Sequence, residues 1–142
     1  MSDTPRTFCV LVVDDNLDTV ETTATLLELY GFRALTALGG NAALRIAATE
    51  HPDVVVTDLA MPDGNGHELA RHLRAEVSPC PVLIALTGRV TAADREQSKA
   101  AGFDMHLAKP LEPDHLLELL QRFIQLALLH PVPNMDGLPP QT

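Results

Sequence analysis

The feature that most constrains this chain is a short β-branched run that ends in an aspartate and is followed at once by a loop. The stretch Asp53-Val54-Val55-Val56-Thr57-Asp58 has the composition of a strand buried on both faces. Pro62 and Gly64 follow it and prevent the strand from continuing. A strand of this kind belongs at the centre of a parallel sheet. The sequence therefore places the carboxylate of Asp58 at the carboxyl edge of the sheet, where open α/β sheets bind ligands.

A simpler interpretation is that Asp58 only caps the turn after its strand, as many strand-end aspartates do. The other apolar runs favour a shared site instead. The run Phe8–Val13 ends in the acid pair Asp14-Asp15, and two later runs lead to Thr87 and Lys109. Because the carboxyl ends of parallel strands meet at one edge, all five side chains are expected to converge there.

Strand and helix patterns alternate five times along the chain, which indicates an α/β fold with helices on both faces of a parallel sheet. The commonest doubly wound arrangement of five strands is flavodoxin-like, with the order 2-1-3-4-5. This order places strands 1 and 3 side by side. The predicted strands are 8–13, 32–37, 53–58, 82–86 and 103–108, and the predicted helices are 17–30, 41–50, 67–76, 91–101 and 114–129.

Length and composition indicate one domain. The 142 residues suit a single core, which we predict to span 8–130 between a short tail at 1–7 and a Pro-rich, disordered tail at 131–142. An apolar run of membrane-spanning length and an export signal are both missing from the sequence, so we expect a cytoplasmic protein. Cys9 and Cys80 are expected to be reduced and inert. A net charge of −9 argues against binding to nucleic acid.

Three carboxylates that meet at one edge repel each other unless a cation lies among them. Oxygen-only ligands favour a hard cation, of which Mg²⁺ is the first candidate. The ammonium of Lys109 can pair with a phosphate oxygen, and the hydroxyl of Thr87 can donate to the same group. This set of groups predicts transfer of a phosphoryl group to a carboxylate. The alternative is a scattered surface set of acids.

From Phe8 to about Leu129 the chain resembles the receiver domain of two-component response regulators. Four further motifs carry the resemblance together with Asp58, and they are Asp14-Asp15, Met61-Pro62 with Gly64, Thr87-Gly88 and Lys109-Pro110. The amino-acid sequences around the last two predicted strands are similar to those of receivers attached to hybrid histidine kinases. The resemblance implies that Asp58 accepts a phosphoryl group from a histidine kinase or phosphotransfer protein, and that the chain then signals by conformational change.

The resemblance also implies a metal site and a phosphoryl-binding site. Asp15, Asp58 and the carbonyl of Ala60 would bind Mg²⁺ directly, and Asp14 would bind it through water. Such a chain is a phosphoacceptor that catalyses its own phosphorylation and dephosphorylation, and it is not an enzyme acting on other molecules.

By the same resemblance, Thr87 and Lys109 would contact the phosphoryl oxygens, and the Lys109-Pro110 peptide bond would be cis. One position departs from the family pattern. His106 stands where receivers usually carry a Tyr or Phe that swings inward when Thr87 moves. A switch ring and a half-exposed edge-strand histidine are both open interpretations of His106. We predict that the other histidines lie at the surface, namely His51, His67, His72, His115 and His130.

Rival folds with similar patterns fail on particular residues. A flavodoxin would need a hydroxyl- and Gly-rich loop where this chain has Asp14-Asp15-Asn16. A haloacid-dehalogenase-like phosphohydrolase would need a second Asp at the position of Ala60. The remaining alternative is a receiver-like interaction module that works without phosphorylation.

The last helix suggests a protein partner. Its apolar residues cover more of the helix surface than one sheet face requires. Leu117, Ile124 and Leu128 are expected to form a second stripe that faces outward. This stripe predicts a homodimer or a docking face on the last helix.

Overall fold

The structure is a computed structural model that describes residues 8–59, 66–88, 92–109 and 113–129. The predicted tails 1–7 and 131–142 lie outside these residues, and the predicted domain limits 8–130 stay a prediction. The elements are β1 Cys9–Val13, α1 Leu17–Leu29, β2 Arg33–Ala37, α2 Gly40–Glu50, β3 Val54–Asp58, α3 Gly66–Glu76, β4 Val82–Thr87, α4 Ala92–Ala101, β5 Met105–Ala108 and α5 Pro113–Leu129. Within the described residues, no helix is both long and apolar enough to cross a membrane.

The five strands form one parallel sheet in the order β2-β1-β3-β4-β5, which confirms the predicted fold class. The register brings the ends of β1 and β3 together, because Val13 is paired with Thr57. It also aligns the end of β3 with that of β4, because Asp58 is paired with Leu86. The residues that follow β1 therefore lie next to the last residue of β3.

The sheet is buried because side chains point alternately to its two faces. On β1, Leu11 and Val13 belong to the core that α2 and α3 cover. Ala43 and Ala47 of α2 are fully buried in this core. Small residues at these positions allow the helix backbone to approach the sheet closely.

The other face of β1 carries Val10 and Val12, which are also buried. Helix α1 contacts β1 and β2 and buries Val20 and Leu27. Helices thus cover both faces of the sheet around β1. This burial is the main source of stability for the strands that position the site.

Cys9 is buried and Cys80 is half-buried, and neither forms a disulfide. Burial is the largest influence on both thiols, and it raises the pKa of each. A thiol with a raised pKa is a poorer nucleophile at neutral pH, because less of it is thiolate. The burial of both thiols is compatible with low reactivity, and their reduced state stays a prediction.

The described residues form two compact units, and α5 belongs to the second. In α5, Leu116, Leu117 and Leu120 are all buried. The prediction that Leu117 faces outward was wrong. At about 100° per residue these three positions span an arc of only about 100°, so one buried face includes all of them. The side chains of Ile124 and Leu128 lie outside the described residues.

Candidate functional site

Three carboxylates meet at the carboxyl edge of the sheet. Asp14 and Asp15 follow β1 directly, and Asp58 is the last residue of the neighbouring strand β3. One carboxylate oxygen from each lies within 4.8 Å of the others. Asp14 and Asp58 are each only 5% exposed, whereas Asp15 is exposed. The predicted convergence of the three aspartates is therefore present in the structure.

The environment of Asp14 disfavours its charged form. Burial raises the pKa of Asp14, and the charge of Asp58 raises it further. The backbone N–H of Asn16, which donates to Asp14 Oδ1 at 3.0 Å, lowers the pKa but does not outweigh the other two influences. Burial and the charge of Asp58 thus act together against the charged form of Asp14.

Lys109 is the cation that the described residues bring to the three carboxylates. Its Nζ donates to Asp58 Oδ2 at 2.9 Å. Burial by itself lowers the pKa of Lys109, but the hydrogen bond and charge of Asp58, together with the charges of Asp14 and Asp15, outweigh burial and leave the pKa raised. Lys109 is therefore fully charged at neutral pH.

Thr87 completes the group of predicted side chains. It is the last residue of β4 and is buried. Its carbonyl accepts a hydrogen bond from the backbone N–H of Lys109 at 2.9 Å, which ties the residue after β5 to the end of β4. Thr87 and Lys109 therefore lie at the same edge of the sheet as the three aspartates.

The donor set fits a hard divalent cation. Three carboxylates against one ammonium leave the cluster negative, and all of its metal-binding atoms are oxygens. Magnesium prefers such ligands and is usually held by one or two carboxylates, with water completing the coordination. Ala60, whose carbonyl is a further expected ligand, and Pro110, of the expected cis bond, lie outside the described residues.

His106 lies on β5 opposite Ala85 and is half-buried. Its ring is tilted against that of Phe103, with the centroids 6.4 Å apart. Half burial fits both interpretations of His106, so its role as a switch residue stays a prediction.

Sequence reasoning missed the environment of His67. This histidine was expected at the surface, but it is half-buried at the start of α3. Its Nε2 is 3.1 Å from the hydroxyl of Ser98, a fully buried residue of α4. Its ring also meets Phe103 edge-on at 6.2 Å. Positions 67 and 98 are too far apart in the chain for local periodicity to have indicated this contact.

A glycine next to the site was also missed. The sequence motif drew attention to Gly64, which lies outside the described residues. The structure instead shows Gly66 against the end of β3, where an added Cβ would lie 2.8 Å from the carbonyl oxygen of Asp58. Nothing in the sequence distinguishes this glycine from an ordinary loop glycine.

Two leucines are exposed beside the acidic cluster. Leu17 begins α1 shortly after Asp15 and is 52% exposed. Leu38 follows β2 and is 48% exposed. The neighbouring residue Ala37 accepts a hydrogen bond from the N–H of Asp14 at 3.2 Å, so both leucines lie at the edge that carries the carboxylates.

Comparison with known proteins is consistent across sequence and structure. Residues 10–121 match the family model described as response regulator receiver domain. The transcriptional regulatory protein KdpE of Mycobacterium tuberculosis is 34% identical over 116 residues, which cover 82% of this chain and 50% of KdpE. The virulence sensor protein BvgS of Bordetella pertussis is 34% identical over 140 residues, which cover 94% of this chain and 11% of BvgS.

Solved structures show the same similarity. The chemotaxis response regulator CheY4 of Vibrio cholerae superposes with a TM-score of 0.77 and is 30% identical, with 82% of this chain and 98% of CheY4 covered. The chain thus matches almost all of one small protein, but half or less of the two larger curated relatives.

Proposed function

Because the chain belongs to the response regulator receiver domain family, we propose that it accepts a phosphoryl group on Asp58 from a phosphorylated histidine. The donor would be a histidine kinase or a histidine phosphotransfer protein. The observation that carries this proposal is the 2.9 Å ion pair between Lys109 and Asp58 within a cluster of three carboxylates. Such a cluster offers a nucleophile and a countercharge for a phosphoryl group at one point.

In the proposed reaction, a carboxylate oxygen of Asp58 attacks the phosphorus atom of the donor. An O–P bond forms, the P–N bond to the donor imidazole breaks, and the imidazole leaves with the electron pair of that bond. Lys109 pairs with the charge on the phosphoryl oxygens, and the hydroxyl of Thr87 donates a hydrogen bond to them. Asp14, Asp15 and Asp58 would hold Mg²⁺, which supplies further neutralisation of phosphoryl charge when bound.

Phosphorylation would change the interactions that hold this edge of the sheet. In the unphosphorylated chain Lys109 is paired with the carboxylate of Asp58 itself. A phosphoryl group adds charge and acceptor oxygens, so Lys109 and Thr87 would turn toward it. We propose that this movement, together with a subsequent movement of the His106 ring, is the conformational signal.

Leu17 and Leu38 are proposed to contact the donor protein. Asp58 is 5% exposed, so a donor histidine must reach into the acidic cluster. The donor surface around that histidine would then contact the residues that border the cluster, which form its rim. The two exposed leucines provide apolar contact area on that rim. A partner that buries them would hold its histidine over Asp58.

The chemistry is tested with acetyl phosphate as donor and intact-mass spectrometry as readout. The parent chain should gain one phosphoryl group in millimolar Mg²⁺ and none in chelator. Asp58→Ala should show no gain. Asp53→Ala is the matched control, because Asp53 precedes the same strand at its opposite end. It should be phosphorylated like the parent.

An equal mass gain in Asp58→Ala would contradict the assignment of the phosphoacceptor. A folded parent chain that gains no mass from acetyl phosphate or from any histidine donor would favour the alternative, an interaction module that works without phosphorylation.

Docking is tested separately from chemistry. Leu17→Ser with Leu38→Ser should slow phosphotransfer from a kinase that labels the parent chain, but should leave phosphorylation by acetyl phosphate unchanged. Leu29→Ser is the control, because Leu29 is 75% exposed at the other end of α1. If Leu29→Ser slows the transfer as much as the rim variant does, the two leucines are not the docking site.

Pairing of two copies through α5 is the remaining part of the partner proposal. Burial of Leu117 removes one member of the expected outward stripe. Sedimentation velocity of the parent chain, with and without acetyl phosphate and Mg²⁺, tests it directly. A monomer in both conditions at high concentration would rule out the homodimer.

A further inference from the structure

Helix α3 begins directly against the end of the phosphoacceptor strand. Its first residue is Gly66, and a Cβ at this position would lie 2.8 Å from the carbonyl oxygen of Asp58 and 3.0 Å from the Cα of Leu59. Both are backbone atoms, so rotation of a side chain cannot relieve the contact. Any residue other than glycine must therefore displace the backbone of Asp58 or the start of α3.

Hydrogen bonds hold the strand end in the position that Gly66 permits. The N–H of Gly66 donates to the carbonyl of Leu59 at 3.0 Å, and the N–H of Leu59 donates to the carbonyl of Leu86 on β4 at 3.2 Å. The carbonyl of Asp58 accepts from the hydroxyl of Thr57 at 3.0 Å. The backbone on both sides of the Asp58 side chain is thus fixed between β4 and the start of α3.

The hydrogen bond between Gly66 and Leu59 also joins the end of the described segment 8–59 to the start of the segment 66–88. Ala60, whose carbonyl the family resemblance assigns to the metal, follows Leu59 directly in the sequence. A displacement of Gly66 would therefore act both on Asp58 and on Leu59, the residue before the expected metal ligand.

The first residue of another helix shows that this close approach is not a general property of helix starts. Gly40 is the first residue of α2, as Gly66 is of α3. An added Cβ at Gly40 would meet nothing within 4 Å. Of these two helices, α3, which begins next to the backbone of Asp58, is the one that requires glycine as its first residue.

We propose that Gly66 is a positioning residue for Asp58. By lacking a side chain it allows α3 to pack against the strand end, and this packing sets the position of the Asp58 carboxylate relative to Lys109 and the metal ligands. The activity readout rests on the proposed phosphorylation of Asp58, and the metal-binding readout rests on the proposed Mg²⁺ site alone. Small displacements of a reacting group are known to slow reactions strongly.

The test compares Gly66→Ala with Gly40→Ala. For each variant, the phosphorylation rate with acetyl phosphate at saturating Mg²⁺ is measured by intact-mass spectrometry, and the affinity for Mg²⁺ by calorimetric titration. Both are recorded at a temperature where the variant is fully folded. Gly66→Ala should lower the rate by about 10- to 100-fold and weaken Mg²⁺ binding. Gly40→Ala should match the parent in both.

Leu73→Ala controls for lost stability. Leu73 lies in α3 and is fully buried in the core. Its truncation should lower the melting temperature while leaving the rate and the Mg²⁺ affinity of the folded chain unchanged. A purely structural role of Gly66 predicts the same result for Gly66→Ala. Parent values of rate and affinity in Gly66→Ala would therefore overturn the proposal.

Thr57→Val covers the case in which Gly66→Ala does not fold. This variant keeps the side-chain shape but removes the hydroxyl that holds the carbonyl of Asp58. It should reduce the rate and the Mg²⁺ affinity in the same direction as Gly66→Ala. Parent values in Thr57→Val, with Gly66→Ala unfolded, would overturn the proposal. Failure of the proposed function gives a different result, because the parent chain itself would then not be phosphorylated.

Discussion

The two edges of the sheet use aspartates in opposite ways. At the amino edge, Asp53 precedes β3 and Asp104 precedes β5, and each accepts a hydrogen bond from the backbone of a neighbouring strand. Asp53 Oδ2 accepts from the N–H of Cys9 at 2.8 Å, and Asp104 Oδ2 accepts from the N–H of Leu83 at 2.8 Å. At the carboxyl edge, the carboxylates of Asp14, Asp15 and Asp58 instead crowd together.

This difference has a simple physical origin. Where strands begin, backbone N–H groups need acceptors, and a carboxylate satisfies them while its own charge is stabilised. Where strands end, the backbone carbonyls are acceptors and cannot donate to a carboxylate. Acids at the amino edge therefore hold neighbouring strands together, whereas acids gathered at the carboxyl edge repel one another, and Lys109 offsets only part of this repulsion. The location of an aspartate relative to its strand therefore separates the carboxylates that accept backbone hydrogen bonds across strands from those that gather in the cluster.

Each edge also has an ion pair. Replacing the cation of each pair with a neutral residue should give the largest difference in phosphorylation rate between the two edges. Lys109→Met removes the partner of Asp58 and should slow phosphorylation by acetyl phosphate roughly 100- to 1,000-fold, because a charge aimed at the phosphoryl group is lost. Arg74→Met removes the partner of Asp104 and should leave the rate unchanged. Both rates are measured by intact-mass spectrometry at saturating Mg²⁺.

Melting curves of the same two variants confirm that they are folded during the assay. A rate in Lys109→Met within twofold of the parent would contradict the proposed role of Lys109. A large loss of rate in Arg74→Met would show that the amino edge also controls the chemistry, and the contrast between the edges would fail.

Substitution of an aspartate at the amino edge should instead lower the stability of the fold. Asp104 accepts from the N–H of Leu83 and from the guanidinium of Arg74, which also donates to the carbonyl of Gly102. Asp104→Ala leaves these donors without their carboxylate and should lower the free energy of unfolding by about 1–3 kcal/mol. Urea unfolding measures the loss. A change below about 0.5 kcal/mol would mean that Asp104 is not needed to hold β4 and β5 together.

The sequence indicated the carboxyl edge more completely than the amino edge. Apolar runs that end in Asp14-Asp15 and Asp58 predict both strands, and the commonest order of a five-stranded doubly wound sheet brings these two strands together. Convergence of the acids follows from that order alone. The strand order and the helix positions were therefore accessible from local patterns.

Contacts that join distant segments were not accessible in this way. The pairing of His67 with Ser98 and the close approach of Gly66 to Asp58 depend on where α3 lies, which local periodicity does not determine. The burial of Leu117 was missed because the width of the buried face of α5 was set too narrowly. Periodicity gives the direction of a helix face more reliably than its width.

Metal-free stability should show the strain at the carboxyl edge directly. The folded-state pKa of Asp14 is raised, so the folded chain binds its proton more tightly than the unfolded chain does. The associated stability is fully present below the ordinary Asp pKa of about 3.9 and is lost as the pH rises through the raised value. Asp14→Asn keeps an oxygen for the N–H of Asn16 and removes the charge. In chelator, it should raise the melting temperature by a few degrees at pH 7.

The difference between Asp14→Asn and the parent should shrink as the pH falls through the raised pKa of Asp14, because the carboxylate of the parent then takes up its proton. Addition of Mg²⁺ should stabilise the parent more than the variant, since the metal relieves the same repulsion. Parent and variant curves that coincide at all pH values in chelator would show that Asp14 carries no electrostatic strain.

The smallest expected effect concerns the connection into the amino edge. His51 ends α2 in the left-handed region, with φ 50° and ψ 62°, and is exposed. An L-residue pays about 1–2 kcal/mol for this conformation, and glycine avoids that penalty but loses about 0.5–1 kcal/mol in chain entropy. His51→Gly should therefore be more stable than His51→Ala by about 0.5–1 kcal/mol in urea unfolding. Both variants should keep the parent phosphorylation rate, because residue 51 leads into β3 at the end opposite Asp58. A change of rate that follows the change of stability would show that strain at the amino edge reaches the site, and the two edges could no longer be treated as independent.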